Sequence, residues 1–247
     1  MLMHPAEYRV MFEIEDGYWW YRGLRDLLKV LLRRYAPVGK ILDVGCGTGA
    51  NLQLLQTYGH AIGIDISPEA IHFCRARGIP NDRALVASAT ELAFADELFD
   101  LIVSFDVICN IPDDVNAFRE IARALKPGGR FIVQLPAYQW LWSMHDVAVG
   151  HQRRYSADEV REKLERAGLA TDRILHTNAM LLPFVAIERL RRRRRLERGN
   201  VIESDLQMDL PRWVNAILSA LYRAEIFLAA RIDLPMGLSV IAIAKKR

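Results

Sequence analysis

Cysteine is scarce in this chain of 247 residues, which has three, at Cys46, Cys74 and Cys109. They are scattered and odd in number, and no two stand in the C-x-x-C spacing typical of metal and redox sites. This pattern argues against a disulfide framework and a zinc site, and it fits the reducing environment of the cytosol. We therefore expect a cytoplasmic protein that works without a metal.

Long apolar runs are also missing. No stretch approaches the roughly 18 uncharged residues of a membrane-spanning helix, and the first residues lack the basic and apolar regions of a signal peptide. The net charge is only +3, so the molecule as a whole is not predicted to bind polyanions. Half of the residues (51%) are hydrophobic, which allows a sizeable core in one domain, or in one domain with an appendage.

What the sequence does contain is a glycine-rich stretch, ILDVGCGTGA, at residues 41–50. An apolar strand pattern runs into Gly45 and Gly47, and a helical pattern follows. Glycine allows a sharp turn and lets backbone N–H groups approach a ligand that a Cβ would block. About twenty residues later a second apolar strand ends at Asp65, where a carboxylate can accept hydrogen bonds from two ribose hydroxyls.

The glycine spacing departs from the G-x-G-x-x-G pattern of dinucleotide-binding domains and reads D-x-G-x-G-x-G from Asp43. This form resembles motif I of class I S-adenosylmethionine (SAM)-dependent methyltransferases. The resemblance implies SAM as the cofactor, with its amino-acid tail across the loop and S-adenosylhomocysteine as the product. A Rossmann dehydrogenase is the main alternative, and a tight turn without a ligand is disfavoured by the distance to Asp65.

Strand and helix patterns alternate along the chain, as a parallel sheet requires. Together with the family resemblance, which includes LKPGG at residues 125–129, they predict a Rossmann-like, seven-stranded, doubly wound α/β sheet with an antiparallel last strand and a helical insertion before it. We expect an N-terminal helical cap (1–36), a SAM-binding core (37–177 and 236–247) and a helical insertion or substrate lobe (178–235).

Five positions fall at predicted carboxyl ends of strands, where ligands of such sheets bind; they are Gly45, Asp65, Ala89, Phe105 and Pro136. Ser88 stands where the family often has an acid, so we assign the adenine contact to the neighbouring backbone. The aromatic start, YWWYR, predicts a cap with an arginine near the cofactor carboxylate, although plain packing explains it too. The predicted cofactor-binding residues are Arg22, Asp43, Gly45, Cys46, Gly47, Asn51, Asp65, Ile66, Ala89, Thr90 and Phe105.

The segment after the fifth strand, residues 137–160, crowds aromatic, basic and histidine side chains together. It resembles a W-S-x-H-D-x-x-x-G-H-x-R-R-Y segment of a bacterial subgroup of these methyltransferases. Methyl transfer to a hydroxyl or a protonated amine needs a base, and histidine suits that task near neutral pH. The predicted catalytic residues are His145, His151 and Tyr155, and the predicted substrate contacts are Trp20, Trp140, Trp142, Asp146 and Arg154. Alternatively, these side chains only tie the loop to the domain.

Seven arginines lie between Arg189 and Arg198, beside apolar helical patterns. A solvated helix end explains such a run, and peripheral contact with anionic lipid at the inner face of the membrane is a second interpretation. Nucleic acid is disfavoured because no aromatic residues are interleaved with the arginines.

These observations predict a SAM-dependent methyltransferase that acts on oxygen or nitrogen of a small-molecule acceptor, such as a natural-product or lipid-linked compound. A tRNA or rRNA methyltransferase, and a SAM-binding module without turnover that acts through its basic helix, are the alternatives.

Overall fold

The computed structural model describes residues 5–35, 39–196, 210–229 and 231–247. Seven strands form one sheet in the order β3-β2-β1-β4-β5-β7-β6. Strands and helices alternate along most of the chain, although β4 follows β3 without an intervening helix, and β7 pairs antiparallel with β5 and β6. The strands are β1 (Lys40–Val44), β2 (His60–Asp65), β3 (Ala84–Val86), β4 (Phe99–Phe105), β5 (Leu125–Pro136), β6 (Leu169–Thr177) and β7 (Ser239–Lys246). The predicted Rossmann-like architecture is confirmed.

Helices cover both faces of the sheet. Because side chains alternate along a strand, Leu42 of β1 packs on one face and Ile41 on the other, and both are fully buried. The helices are α1 (Pro5–Ile14), α2 (Trp19–Tyr35), α3 (Ala50–Leu55), α4 (Pro68–Ala76), α5 (Asp114–Ala124), α6 (Met144–Ala148), α7 (Ala157–Arg166), α8 (Leu182–Leu196) and α9 (Arg212–Ala229). In the described part of the chain, no helix is long and apolar enough to span a bilayer.

The LKPGG segment opens a strand. Strand β5 begins at its first residue, Leu125. Helix α5 ends at Ala124 because Leu125 is extended, with φ −72° and ψ 141°. Pro127 does not interrupt the sheet, because the register of β5 against β4 shifts between Phe99 and Leu101 and bypasses it.

Helices α1 and α2 are fastened to the glycine loop by buried polar contacts. Glu15, which follows α1, accepts a hydrogen bond from the Thr48 hydroxyl and pairs with Arg77. Arg77 also donates its Nε–H to the Thr48 carbonyl at 3.1 Å. The N-terminal segment therefore lies over the carboxyl edge of the sheet. The division of the chain into an N-terminal cap, a SAM-binding core and a substrate lobe remains a prediction.

The inserted helix α9 packs against α2. The Trp20 ring stacks on Tyr222 with centroids 6.1 Å apart, and the Trp19 backbone N–H donates to the Asn215 side chain at 2.8 Å. Gly23 allows this approach, since a Cβ there would lie 1.9 Å from a ring carbon of Tyr222. The insertion is thus an integral part of the structure around α2.

Candidate functional site

A cavity of about 860 Å³ opens at the carboxyl edge of the sheet. It lies between the glycine loop, the N-terminal helices, the segment after β5 and the first turns of α8. Its volume is within the range of about 300–1,000 Å³ typical of ligand pockets. The predicted site residues that line it are Trp20, Gly45, Cys46, Gly47, Asn51, Asp65, Ile66, Ala89, Thr90, Phe105, His145, His151 and Arg154.

The floor of the cavity is the glycine loop. Gly45, Gly47 and Gly49 all adopt positive φ, at 77°, 53° and 92°, a region that residues with a Cβ resist. The N–H groups of Gly45 and Cys46 donate to the Ile64 carbonyl at 2.8 and 2.9 Å, which fixes the loop to β2. The loop therefore presents bare, rigid main chain to the cavity.

Asp65 ends β2 beside this loop and is 7% exposed. Its carboxylate accepts from the N–H of Gly47 at 3.0 Å and from the N–H of Ser67 at 2.9 Å. Burial raises its pKa, although these backbone hydrogen bonds act in the opposite direction. Tyr8 of α1 lies close by, and its pKa is raised to about 12 by burial and by the charge of Asp65.

Asp43 does not line the cavity. It is 2% exposed beneath the loop, and its Oδ2 has no hydrogen-bond partner within the described residues. Burial, with a further contribution from Asp65, raises its pKa to about 7. Its predicted role in cofactor binding could only be indirect, through the loop above it.

Across the cavity, Asp146 organises the segment after β5. It is fully buried, and its Oδ1 lies 2.8 Å from His151 Nδ1 and 2.8 Å from Arg154 Nε. Its Oδ2 accepts from the Ser143 N–H at 2.8 Å and from Arg189 Nη1 at 3.2 Å. Burial alone would raise the pKa of Asp146, but the hydrogen bond from His151 and the two guanidinium groups lower it well below its usual range.

This cluster fixes the tautomer of His151. An ionised carboxylate only accepts hydrogen bonds, so Nδ1 carries the proton and the opposite nitrogen, Nε2, is left as an acceptor. The His145 ring lies perpendicular to it, with centroids 6.2 Å apart. Both rings line the cavity, so the arrangement supplies a nitrogen base at the wall opposite the glycine loop.

Asp106, at the end of β4, is a cavity residue that the sequence analysis did not single out. It holds a left-handed backbone, with φ 55°, and its carboxylate accepts from the Gln134 side-chain amide at 2.7 Å. Burial raises its pKa, partly offset by its interactions with His151 and Arg154 and by the hydrogen bond from Gln134. A short polar residue after FDLIVSF was the available signal, because αL conformations favour Asp and Asn.

Three further predicted residues lie outside the cavity. Arg22 is exposed and outside the cavity, whereas Arg25 lines it and donates to the Glu15 carbonyl at 2.6 Å. Trp140 and Trp142 do not line the cavity, and Trp140 is 51% exposed against the Tyr138 ring. The predicted direct contacts of these three side chains therefore lack a basis in this geometry.

Tyr155 is fully buried away from the cavity, and its hydroxyl donates to Asp114 at 2.8 Å. Burial and the charge of Asp114 raise its pKa far above the usual range. This environment suits packing of the segment rather than proton transfer. Asp146 likewise contacts the cavity only through His151, Arg154 and Arg189.

Arg189, the first arginine of the basic run, lies on α8 and lines the cavity. Besides Asp146, its Nη1 bonds to the Leu141 carbonyl. Its inward direction was not visible in the sequence, where it reads as one member of a charged run. Of that run, the side chains of 191–196 and the residues from 197 to 209 are outside the described part of the chain.

In the described residues, no group of three or more His, Cys, Asp or Glu side chains has a geometry that could hold a metal ion. The charged groups of the cavity are instead paired with arginines and backbone donors, as described above.

Comparison with known proteins agrees with this geometry. Residues 42–133 match the family model of the methyltransferase domain. A phosphoethanolamine N-methyltransferase 1 from Zea mays is 37% identical over 102 residues, which are 39% of this chain and 20% of the maize protein. A probable S-adenosylmethionine-dependent methyltransferase from Mycolicibacterium smegmatis is 29% identical over 161 residues, 64% of this chain and 62% of that protein.

A solved structure from Thermotoga maritima, a SAM-dependent methyltransferase named as a possible histamine N-methyltransferase, superimposes with a TM-score of 0.62. The sequences are 19% identical, and the match covers 98% of this chain and 96% of that one, which shows the fold. The chain spans about a fifth of the maize relative and 62% of the mycobacterial one. Residues 42–133 are thus similar to methyltransferase domains, and the fold is shared with a solved SAM-dependent methyltransferase structure.

Proposed function

We propose that this chain transfers the methyl group of SAM to an oxygen or nitrogen of a small-molecule acceptor. One observation carries the proposal: the His151 ring, with Nδ1 held 2.8 Å from Asp146, lines the same cavity as the bare Gly45–Gly47 main chain. A cofactor site and an oriented base are thus brought to one enclosed space. SAM supplies an already activated methyl group, so the protein has to align the acceptor and remove its proton.

The cofactor half of the cavity fits SAM. Asp65 accepts two backbone N–H groups, from Gly47 and Ser67, and a carboxylate has about four acceptor sites, so two remain for the ribose hydroxyls. Gly47 leaves main chain free of Cβ for the amino-acid tail. Arg25 is the arginine that lines this end, and we assign it to the carboxylate of that tail.

Adenine would lie further along the edge of the sheet. The slot there is formed by Ile66, Ala87, Ala89, Ile111 and Pro112. Thr90 is held in place because its carbonyl accepts from the Asn116 side chain at 2.8 Å. The slot is mostly apolar, which suits the faces of a flat base.

The base in this proposal is His151. With Nδ1 protonated, its Nε2 is free to accept a proton from a hydroxyl or an ammonium, a contribution of about 10²–10⁴ in rate. His145 is the second candidate and lies edge-on to His151. Asp106, within electrostatic reach of His151, would orient the acceptor by taking a hydrogen bond from it.

The acceptor is small in this proposal because α1, α2 and α8 all contribute walls to the cavity. Two of the relatives above carry N-methyltransferase names. Small amines therefore stand first in the acceptor panel, followed by small hydroxyl compounds.

Calorimetry tests the cofactor assignment. We expect heats of binding with SAM and S-adenosylhomocysteine and none with NADH. Gly47→Ala should weaken SAM binding, because it adds a Cβ at φ 53° in the cavity floor, 2.9 Å from the flexible end of the Met11 side chain. The matched control is Gly78→Ala, which carries similar strain at φ 85°, with no atom of the described residues within 4 Å of its new Cβ.

Strong NADH binding without SAM binding would refute the proposal in favour of a dehydrogenase. If His151→Ala turned over at the wild-type rate, His151 would not be the catalytic base. Retained SAM binding with no methylation of any acceptor in the panel would favour a binding module, and salt-sensitive retention of tRNA with methylation of it would favour an RNA enzyme.

A further inference from the structure

Helix α9 carries a continuous exposed apolar face. Its large members are Trp213, Ile217, Leu221, Phe227 and Leu228, which are 67, 52, 40, 65 and 37% exposed. At 100° per residue they fall within about 120° of the helix circumference, and Ala216, Ala220 and Ala224, also exposed, fill the spaces between them.

The opposite face of α9 packs against the rest of the protein. Ser219, Tyr222, Glu225, Ile226 and Ala229 are buried, and Glu225 accepts from the N–H of Met180 at 3.0 Å. The helix is therefore fixed in orientation, and its apolar stripe is held outward. A run of this kind is larger than the scattered apolar residues normal on a protein surface.

The other inserted helix, α8, also carries exposed apolar residues. Phe184 and Ile187 of α8 are 71 and 49% exposed. Elsewhere on α8, Leu182 is buried, and Val185 and Arg189 line the cavity. Both inserted helices thus combine one face turned to the protein with large apolar side chains turned outward.

Positive charge is concentrated in the same insertion. Residues 182–231 contain ten arginines and six carboxylates, a net charge of +4, whereas the whole chain carries +3; the remainder is therefore net −1. Arg212 and Arg223 lie on one flank of the α9 stripe, by the same helical spacing. Arg231 lies over the Phe227 ring at 3.5 Å, at the end of the stripe.

We propose that α9 docks the protein on an anionic lipid bilayer, with the stripe from Trp213 to Leu228 in the interface and Arg212, Arg223 and Arg231 against lipid headgroups. Burial of an apolar stripe and attraction of basic residues to anionic lipid together drive this kind of interfacial binding. A second copy is disfavoured as the occupant, because a symmetric contact through the stripe would bring these three arginines of both copies close together. This surface is distinct from Arg189, which points into the cavity.

Vesicle flotation tests the inference, with phosphatidylcholine vesicles with and without an equal part of phosphatidylglycerol. We expect the wild-type chain to float with the anionic vesicles at low salt, to be released as salt screens the charges, and to remain unbound with the neutral ones. Ile217→Glu should weaken binding about thirtyfold, since burial of an isoleucine side chain is worth about 2 kcal/mol. Trp213 emission should shift to the blue on binding.

The matched control is Val86→Glu, which places the same charge at a residue 54% exposed on β3 and should bind like the wild type. Three results would overturn the proposal: no binding of the wild type to anionic vesicles at low salt, a wild-type dimer that Ile217→Glu converts to monomer, or a fall in unfolding temperature for Ile217→Glu that shows the face is covered within the chain. SAM titration of the same preparations reports the proposed enzyme function separately.

Discussion

Asp146→Asn is the sharpest test of how this site works. Asp146 is fully buried, and its carboxylate pairs with His151, Arg154 and Arg189. The substitution keeps the size of the side chain and removes the charge. It also gives His151 Nδ1 a neutral partner that can donate as well as accept.

The expected cost has two parts. Removal of one member of a buried ion pair costs about 3–5 kcal/mol, because the remaining charges stay desolvated, and the Arg154 side chain is 4% exposed. Loss of the fixed tautomer should lower turnover by about 10²–10⁴, the usual contribution of general-base catalysis. Since the pKa of Asp146 is depressed in the fold, its stabilisation is present above about pH 4 and is lost as the pH falls through the folded value.

The assay combines guanidinium unfolding, SAM calorimetry, turnover with an acceptor found in the panel, and nitrogen NMR of the imidazole groups. The matched control is Asp114→Asn. Asp114 is 2% exposed and accepts from Tyr155 at 2.8 Å and from Lys163 at 2.9 Å, but it does not line the cavity. Both variants should lose similar stability, and only Asp146→Asn should change the His151 tautomer and turnover.

The reasoning would be refuted if the two variants gave the same turnover, or if the His151 nitrogen signals of Asp146→Asn matched those of the wild type. Either result would mean that Asp146 only holds the segment together.

Three further predictions concern the cofactor half of the site. The pKa of Asp43 is raised to about 7, so its contribution to stability is full below about pH 4 and is lost as the pH rises through 7. In guanidinium unfolding, the free energy of unfolding of the wild type should fall by about 2–3 kcal/mol between pH 5 and 8, and Asp43→Asn should remove this fall. An unchanged fall in Asp43→Asn would contradict the assignment. Arg25→Gln should weaken SAM binding about tenfold or more in calorimetry, while Arg22→Gln, exposed on the same helix, should not; equal affinities would exclude the carboxylate contact. Glu15→Gln should loosen the cap, because Arg77 loses its buried partner, and should cost about 3 kcal/mol with weaker SAM binding; protection of α1 against hydrogen exchange at the wild-type level would contradict this.

Arg22 and Arg25 show where sequence reasoning reached its limit on a single helix. Both belong to the aromatic-rich start of α2, and either could have met a carboxylate. The helical phase decides between them, because Arg25 lies one turn before the buried Leu28 and Arg22 does not share that face. The phase was readable in the leucine spacing, but which side of the helix faces the cavity was not.

Tyr155 and Asp106 show a second limit. The sequence placed Tyr155 among reactive side chains, yet in the structure its hydroxyl donates to Asp114, 41 positions away. Asp106 was passed over because one acid after a strand is unremarkable until Gln134 and His151 come near it. Such contacts join residues far apart in the chain, and no local pattern encodes them.

By itself, the sequence determined the cofactor half of the protein: the alternation of strands and helices, the glycine loop and Asp65 at the end of β2. These follow from side-chain period and backbone conformation, which are local properties. Only the tertiary structure decided the other half, by bringing Asp146, His151 and Arg189 to one point and by turning the apolar stripe of α9 outward. Burial and long-range pairing set those outcomes, and both depend on how the whole chain packs.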